Sequence, residues 1–315
     1  MTTSSGGPVE RDHSALLPMR SLTGKRIGIS VSDSADLARL GLTEAHFQLA
    51  LRELARTALI GGATLAYGGH LLPGGYTHFL VGELGQYARI ADLGRRTSDV
   101  PLLICLSNQE HRHCSRGELE KIDANLGVYG ELRCIDLEGS VVTDPMAGRD
   151  EAGDPYPTDR GVLAQGLTAL RRYMTANTAG RMLLGGKRHG YTGSMPGVLE
   201  EAVLALEVGQ PLYLASGFGG AALDVAAAVD PQLDKFCPRH AGDPPLDAAT
   251  LAGLVQVRAL VGKSGWSCLN NGLTPEENLR LSVTHRPGEI AALVALGIGR
   301  VAQGSAEPSS SSGSA

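Results

Sequence analysis

Residues 181–206 read RMLLGGKRHGYTGSMPGVLEEAVLAL, and this stretch sets the fold class. Residues 181–185 form a short run of strand length that ends on Gly185-Gly186. A glycine-rich loop follows, and from Pro196 to about Leu206 the apolar positions take a helical spacing. Proline suits the first turn of a helix, because the N–H it lacks would have no intrahelical partner there. Glu200 and Glu201 fall within that turn or just beyond it, where the helix dipole stabilises carboxylates. Strand, glycine turn and helix in succession are the unit from which parallel α/β sheets are wound.

The same unit recurs on both sides. Downstream, residues 211–216 read as a strand that leads through Ser216-Gly217-Phe218-Gly219-Gly220 into a helix opening at about Gly220. Upstream, RIGISVS at 26–32 reads as a buried strand. Thr43 is a good N-cap for a helix to about Ile60, with Phe47, Leu51, Leu54, Ala55 and Ala58 on its apolar face. Residues 63–67 are a strand closed by Gly68-Gly69-His70, with Pro73-Gly74-Gly75-Tyr76 beyond it. Further strands are expected at 101–106 and 131–137, and helices at 77–91, 118–126 and 161–177. Residues 144–159 are rich in Pro, Gly and Asp and read as a long loop, either a lid or an excursion. From Asp247 onward the pattern is helical, with breaks at 262–265 and 286–287. The expected fold is α/β: a doubly wound, mainly parallel, Rossmann-like sheet of at least five strands with helices on both faces. In such sheets ligands bind outside the carboxyl ends of the strands, near a topological switch point.

Composition narrows the function. With 315 residues, 43% of them hydrophobic, the chain can bury a sizeable core. Its 42 glycines gather largely at predicted strand ends, which points to tight backbone loops. A net charge of -5 argues against a general nucleic-acid footprint, although a local basic cluster can still meet a small anion. No apolar run reaches the length of a membrane span, and the N-terminal residues lack the apolar centre of a signal peptide. Five cysteines without a CxxC pair suggest free thiols in a reducing compartment, so a cytoplasmic location is expected. Residues 1–24 read as an irregular leader, 25–303 as the Rossmann-like domain with a C-terminal helical extension, and the Ser-rich 304–315 as a disordered tail.

Three glycine segments carry the candidate chemistry: 67–76, 185–201 and 216–224. In the last of these, glycines let the backbone approach a phosphate and the helix N-terminus supplies free N–H groups. Its glycines at 217, 219 and 220 do not make a GxGxxG, and Lys187 lacks a Walker A frame. Tight strand–helix packing is the alternative reading of that loop. His111, His113 and Cys114 read as part of a polar, solvated loop rather than a metal site, because no partner motif is visible. No GxSxG elbow is present for a serine hydrolase.

The segment Gly190-Tyr191-Thr192-Gly193-Ser194-Met195-Pro196-Gly197-Val198-Leu199-Glu200-Glu201 resembles the SLOG superfamily, the Rossmann-like set that includes LOG phosphoribohydrolases, DprA proteins and the N-terminal domains of melastatin-type channels. LOG enzymes carry a PGGxGTxxE loop that holds phosphate and ribose and presents a catalytic glutamate. Residues 196–201 are similar to its second half and place Glu201 at the motif glutamate. LOG enzymes also have a basic residue and a methionine on the preceding helix, and Arg171-Arg172-Tyr173-Met174 resembles that pair with either arginine as the counterpart. Val198 stands where LOG has a phosphate-binding threonine. The GYTGSMPG and GFGGAA segments are more similar to a sensor-like prokaryotic branch that accompanies effectors in defence or nucleotide signalling.

The resemblance implies a nucleotide or nucleotide-sugar (ADP-ribose-like) sensor. Its ligand site would comprise Gly68, Gly69, His70, Arg171, Arg172, Gly185, Gly186, Lys187, Thr192, Gly193, Met195, Pro196, Gly197, Gly217, Phe218, Gly219 and Gly220. The implied ligand is a nucleotide-derived small molecule, with a separately encoded effector protein as a partner and homo-oligomerisation as an option. No metal or further cofactor is expected. The alternatives are a nucleotide N-glycosidase of the LOG kind, with Glu201 or Glu200 as the catalytic carboxylate, and a non-catalytic interaction scaffold.

Overall fold

The computed structural model describes residues 21–304 except 72–73, 92–99, 148, 150–151 and 240–241. Most of the leader, the tail from 305 and Pro73 therefore lie outside the described residues. In chain order the elements are β1 (Arg26–Ser32), α1 (Glu44–Ile60), β2 (Thr64–Gly68), α2 (Tyr76–Ala91), β3 (Leu102–Leu106), α3 (Asn108–His113), α4 (Arg116–Leu126) and β4 (Gly130–Cys134). They continue with α5 (Arg160–Ala176), β5 (Gly180–Gly185), α6 (Gly197–Glu207), β6 (Leu212–Ala215), α7 (Gly220–Val229), α8 (Ala248–Val261), α9 (Pro275–Val283) and α10 (Pro287–Gly304).

The six strands form one sheet in the order β4-β3-β2-β1-β5-β6, and every pairing is parallel. The chain winds outward from β1 to β4, then returns to lay β5 against the other side of β1. Strand order thus reverses between β1 and β5. Loops leaving neighbouring strands diverge there, and a crevice opens at the carboxyl edge.

Strand alternation divides the core between two faces. Met182 and Leu184 of β5 join one cluster with Ile29, Phe47, Leu51, Leu281 and Val294 from β1, α1, α9 and α10. Leu183 points the other way, into a cluster built by α6, α7 and α8. The apolar positions expected of α1 (Phe47, Leu51, Leu54, Ala55 and Ala58) are all buried. Burying each large one stabilises the fold by about 1.5–3 kcal/mol.

Two local expectations change. The strand expected at 131–137 stops at Cys134, because the Asp136 carboxylate accepts from the amides of Glu138 (3.0 Å) and Ser140 (2.7 Å) and turns the chain. The polar segment expected to be a solvated loop is instead the short helix α3, with Gln109 and His111 buried. Six residues are under two turns, too short for a periodicity signal.

Candidate functional site

A cavity of about 260 Å³ lies at the carboxyl edge of the sheet. Ser30–Ser32 of β1 with Asp33 after it, Tyr67–His70 at the end of β2 and Ser107 after β3 line one side, and α5 and the loop after β5 line the other. Asp33 and Lys187 are shared with a second cavity of about 340 Å³ on the far side of the β1 exit. The Lys187 ammonium lies 3.3 Å from Asp33, and both side chains are exposed.

The 185–201 loop owes its shape to close packing. Gly185 and Gly186 have φ of +64° and +107°, and a Cβ on Gly185 would come within 2.6 Å of the Ser32 carbonyl. Farther along, Gly193 and Gly197 make room for the Arg171 guanidinium. A Cβ on them would stand 2.9 and 2.7 Å from its nitrogens. Pro196 is the N-cap of α6 rather than a residue of its first turn, and it offers no side-chain acceptor to the amides that follow. Thr192 and Gly197 line the cleft. Met195 does not; it packs against the cluster formed with α8. Val198 is 4% exposed, belongs to the same apolar cluster and also edges the cleft, to which it offers no hydroxyl.

The two glutamates part company. Glu200 is buried, accepts from the Thr168 hydroxyl and pairs with Arg171, and so fixes the guanidinium at the cleft wall. Of the two, Glu201 is the one that lines the cleft. Behind it stands Arg181 of β5, fully buried, 3.3 Å from Glu201 Oε1 and donating to Ser30 Oγ (3.1 Å) and Thr175 Oγ1 (3.2 Å). Burial pushes the Arg181 guanidinium below its ordinary value, and Glu201 opposes that shift. Sequence reading missed Arg181. The signal was a lone arginine inside the run 180–185, since a charge in a buried strand requires a partner. Arg172 points to a separate depression with Tyr173, Glu138 and Ser194, so Arg171 is the cleft arginine.

At the β2 end, Gly68, Gly69 and His70 line the cleft. Tyr67 joins them. Burial first, then the charges of Glu201 and Asp33, raise its hydroxyl well above the usual tyrosine range, so it remains a protonated donor.

The third glycine segment is placed differently from the sequence reading. Gly217 and Phe218 are buried. A Cβ on Gly217 would come within 2.6 Å of the Thr284 carbonyl carbon, and the Phe218 ring packs edge-on to Phe47 at 5.3 Å. The first amide of α7, on Gly220, donates to Asp36 Oδ2 at 2.8 Å. Asp36 is buried and also receives Arg188 at 2.5 Å. An internal carboxylate therefore occupies the helix end that the sequence reading offered to a ligand phosphate. Arg188 is itself committed to Asp224 by bonds of 2.7 and 3.0 Å. Of this segment, Gly220 alone lines a cavity among those described, the second one.

The 144–159 loop is stitched onto α3. The Asp154 amide donates to the Arg112 carbonyl at 2.8 Å, and Arg149 bonds the His111 carbonyl. Tyr156 from this loop becomes part of the cleft wall, and its hydroxyl donates to Glu110 at 2.9 Å. Among the described residues no group of three or more His, Cys, Asp and Glu side chains is placed to hold a metal ion. Nor is any described helix long and apolar enough to cross a membrane.

A family model described as SLOG cluster2 matches residues 21–281, which takes in every strand of the sheet and the whole of this cleft. No curated protein matches the chain.

Proposed function

The chain belongs to the SLOG cluster2 family, and from that premise we propose that its cleft binds a nucleotide or nucleotide-sugar, of the ADP-ribose kind, as a sensor. The observation that carries this reading is the convergence of Arg171 and Glu201 on one cleft beside the β1/β5 switch point. Arg171 offers a planar fork of donors suited to phosphate, and the amides that open α6 beside it lack a side-chain cap. Glu201 is acceptor-only when ionised and suits ribose hydroxyls. Lys187 at the mouth supplies further counter-charge. The signal would pass to an effector protein encoded separately.

The runner-up is hydrolysis of a nucleotide N-glycosidic bond. Water adds to the anomeric carbon, the base leaves, and Glu201 stabilises the developing positive charge or takes the proton from water. A cleft carboxylate held by a buried arginine favours it. Val198 weighs against it, because the position where LOG enzymes carry a phosphate-binding hydroxyl here presents only apolar methyl groups.

One experiment tests both readings. The purified chain is incubated with a nucleotide panel, and thermal stabilisation and base release are followed together. A sensor is stabilised by its ligand and releases no base, and Glu201→Gln alters its affinity and stability without any chemical phenotype. A hydrolase releases base, and the same substitution lowers kcat by about 10²–10³. Failure of every nucleotide to stabilise the protein would end the nucleotide reading.

A further inference from the structure

The chain contains several Ser/Thr-x-x-Glu sequences at helix starts, the pattern that closes into a capping box. Two of them close. The Ser115 amide donates to Glu118 at 2.8 Å while the Glu118 amide donates to Ser115 Oγ at 3.2 Å. Thr274 and Glu277 exchange the same bonds at 2.9 and 3.2 Å. The third, Ser107-Asn108-Gln109-Glu110, opens α3 at the carboxyl end of β3 and stays open. Ser107 is fully buried, and its hydroxyl makes neither a cap bond nor any other. Glu110 is turned away from the Ser107 amide and accepts from the Tyr156 hydroxyl instead. Both residues line the cleft.

A buried hydroxyl without a partner is costly, and here its natural partners are one turn away on its own helix. Two side chains that forgo a bond their neighbours in sequence make easily are held for something else. We propose that Ser107 and Glu110 are a ligand-recognition pair at the inner end of the cleft. They read a group that presents two adjacent hydrogen-bond donors, with an acceptor beside them for the serine. The carboxylate accepts two donors side by side, and the hydroxyl can donate to the neighbouring acceptor. Two parts of a nucleotide have this chemistry: the N1–H, N2–H and O6 edge of guanine, and the vicinal hydroxyls of ribose. Adenine offers the carboxylate one donor beside a lone pair. Leu167 and Leu170 of α5 give the same cavity an apolar wall against which a flat or sugar ring can lie. Tyr156 is the positioning residue that aims the carboxylate.

This inference rests on the nucleotide reading of the cleft, and its test separates the two. Calorimetric titration uses GMP, AMP and 2′-deoxy-GMP with the full chain and with its Glu110→Gln and Ser107→Ala variants. The wild type is expected to favour GMP by about tenfold or more over AMP if the guanine edge is read, or over 2′-deoxy-GMP if the ribose is read. Glu110→Gln should erase that preference while leaving the disfavoured nucleotide within about threefold. Without ligand, Ser107→Ala should melt no lower than wild type, because it removes an unpaired hydroxyl. A fall of more than about 4 °C would assign the serine a structural role and overturn the pair. Nucleotide binding with no preference, or with a preference that survives Glu110→Gln, would overturn the pair and leave the nucleotide reading standing. Absence of all nucleotide binding would remove both.

Discussion

Glu201 Oε1 lies 3.3 Å from the guanidinium of Arg181, so a charge in the core of the sheet reaches the cleft through this pair. Arg181 is fully buried and its Nε has no partner, so the carboxylate is what keeps the cation tolerable. Removing one member of a buried pair leaves an uncompensated charge and costs roughly 3–5 kcal/mol. Arg181→Met and Glu201→Gln should therefore each destabilise the protein, and the double variant should lose less than their sum. Urea unfolding of the four proteins measures the coupling. Strict additivity would mean the two groups do not support each other.

Asp36 closes the N-terminus of α7 through the Gly220 amide and holds Arg188 from the other side. Asp36→Ala opens that helix end and removes one carboxylate from Arg188. We expect a loss of about 1–3 kcal/mol, summing a cap and part of an ion pair. The vacated position is an anion hole with an arginine beside it. Sulfate should accordingly raise the melting temperature of Asp36→Ala far more than that of the wild type. Equal responses in both proteins would show that the helix end is not a latent anion site.

How far the sequence foretold these sites follows from the range of the forces involved. The α/β class and the strand positions rest on local apolar patterning, and each of the six strands overlaps its expected run, although β4 ends three residues early. Gly68, Gly69, His70, Lys187, Thr192 and Gly197 line the cleft, the first three beside a strand end that the glycine pattern made legible. The loop at 217–220 was misleading because its glycines are needed for packing. The group that fills its amides, Asp36, comes from 184 residues away. Met195 sits in the motif but is drawn to α8 by apolar contact. The open box at Ser107 was invisible in sequence, since Ser107-x-x-Glu110 reads the same whether or not the bonds form.

His111 predicts an acid sensitivity. Its ring is buried, Nδ1 accepts from Arg149 at 3.1 Å, and Nε2 has no partner. Burial first, then the charges of Arg149 and Arg112, push its pKa down from 6.5 to about 4. A group depressed on folding contributes stability in full above its unfolded pKa and loses it as pH falls through the folded value. Stability should thus decline from pH 6.5 to about 4, by an amount on the order of 3 kcal/mol. His111→Gln should flatten this part of the pH profile, as followed by unfolding at fixed pH values. A decline of the same size in the variant would place the titration on other groups.

Arg171 and Arg172 were equivalent in sequence, and the structure separates them. Arg171 is pinned by buried Glu200 beneath Gly193 and Gly197, whereas Arg172 faces a depression behind α5. Deleting Arg171 outright would strand Glu200, so the informative substitution is Arg171→Lys, which keeps the charge and loses the fork. It should weaken binding of the best nucleotide by about tenfold, equivalent to roughly 1.4 kcal/mol, with little change in melting temperature. Arg172→Ala should leave affinity within about twofold, because an exposed charge outside the cleft is screened by solvent. The variants differ in one further respect. A phosphate held by a bidentate guanidinium should be displaced competitively by inorganic phosphate in the wild type, and much less so in Arg171→Lys. If Arg172→Ala proves the damaging change and Arg171→Lys the silent one, the ligand enters from the far side of α5 and the cleft assignment fails.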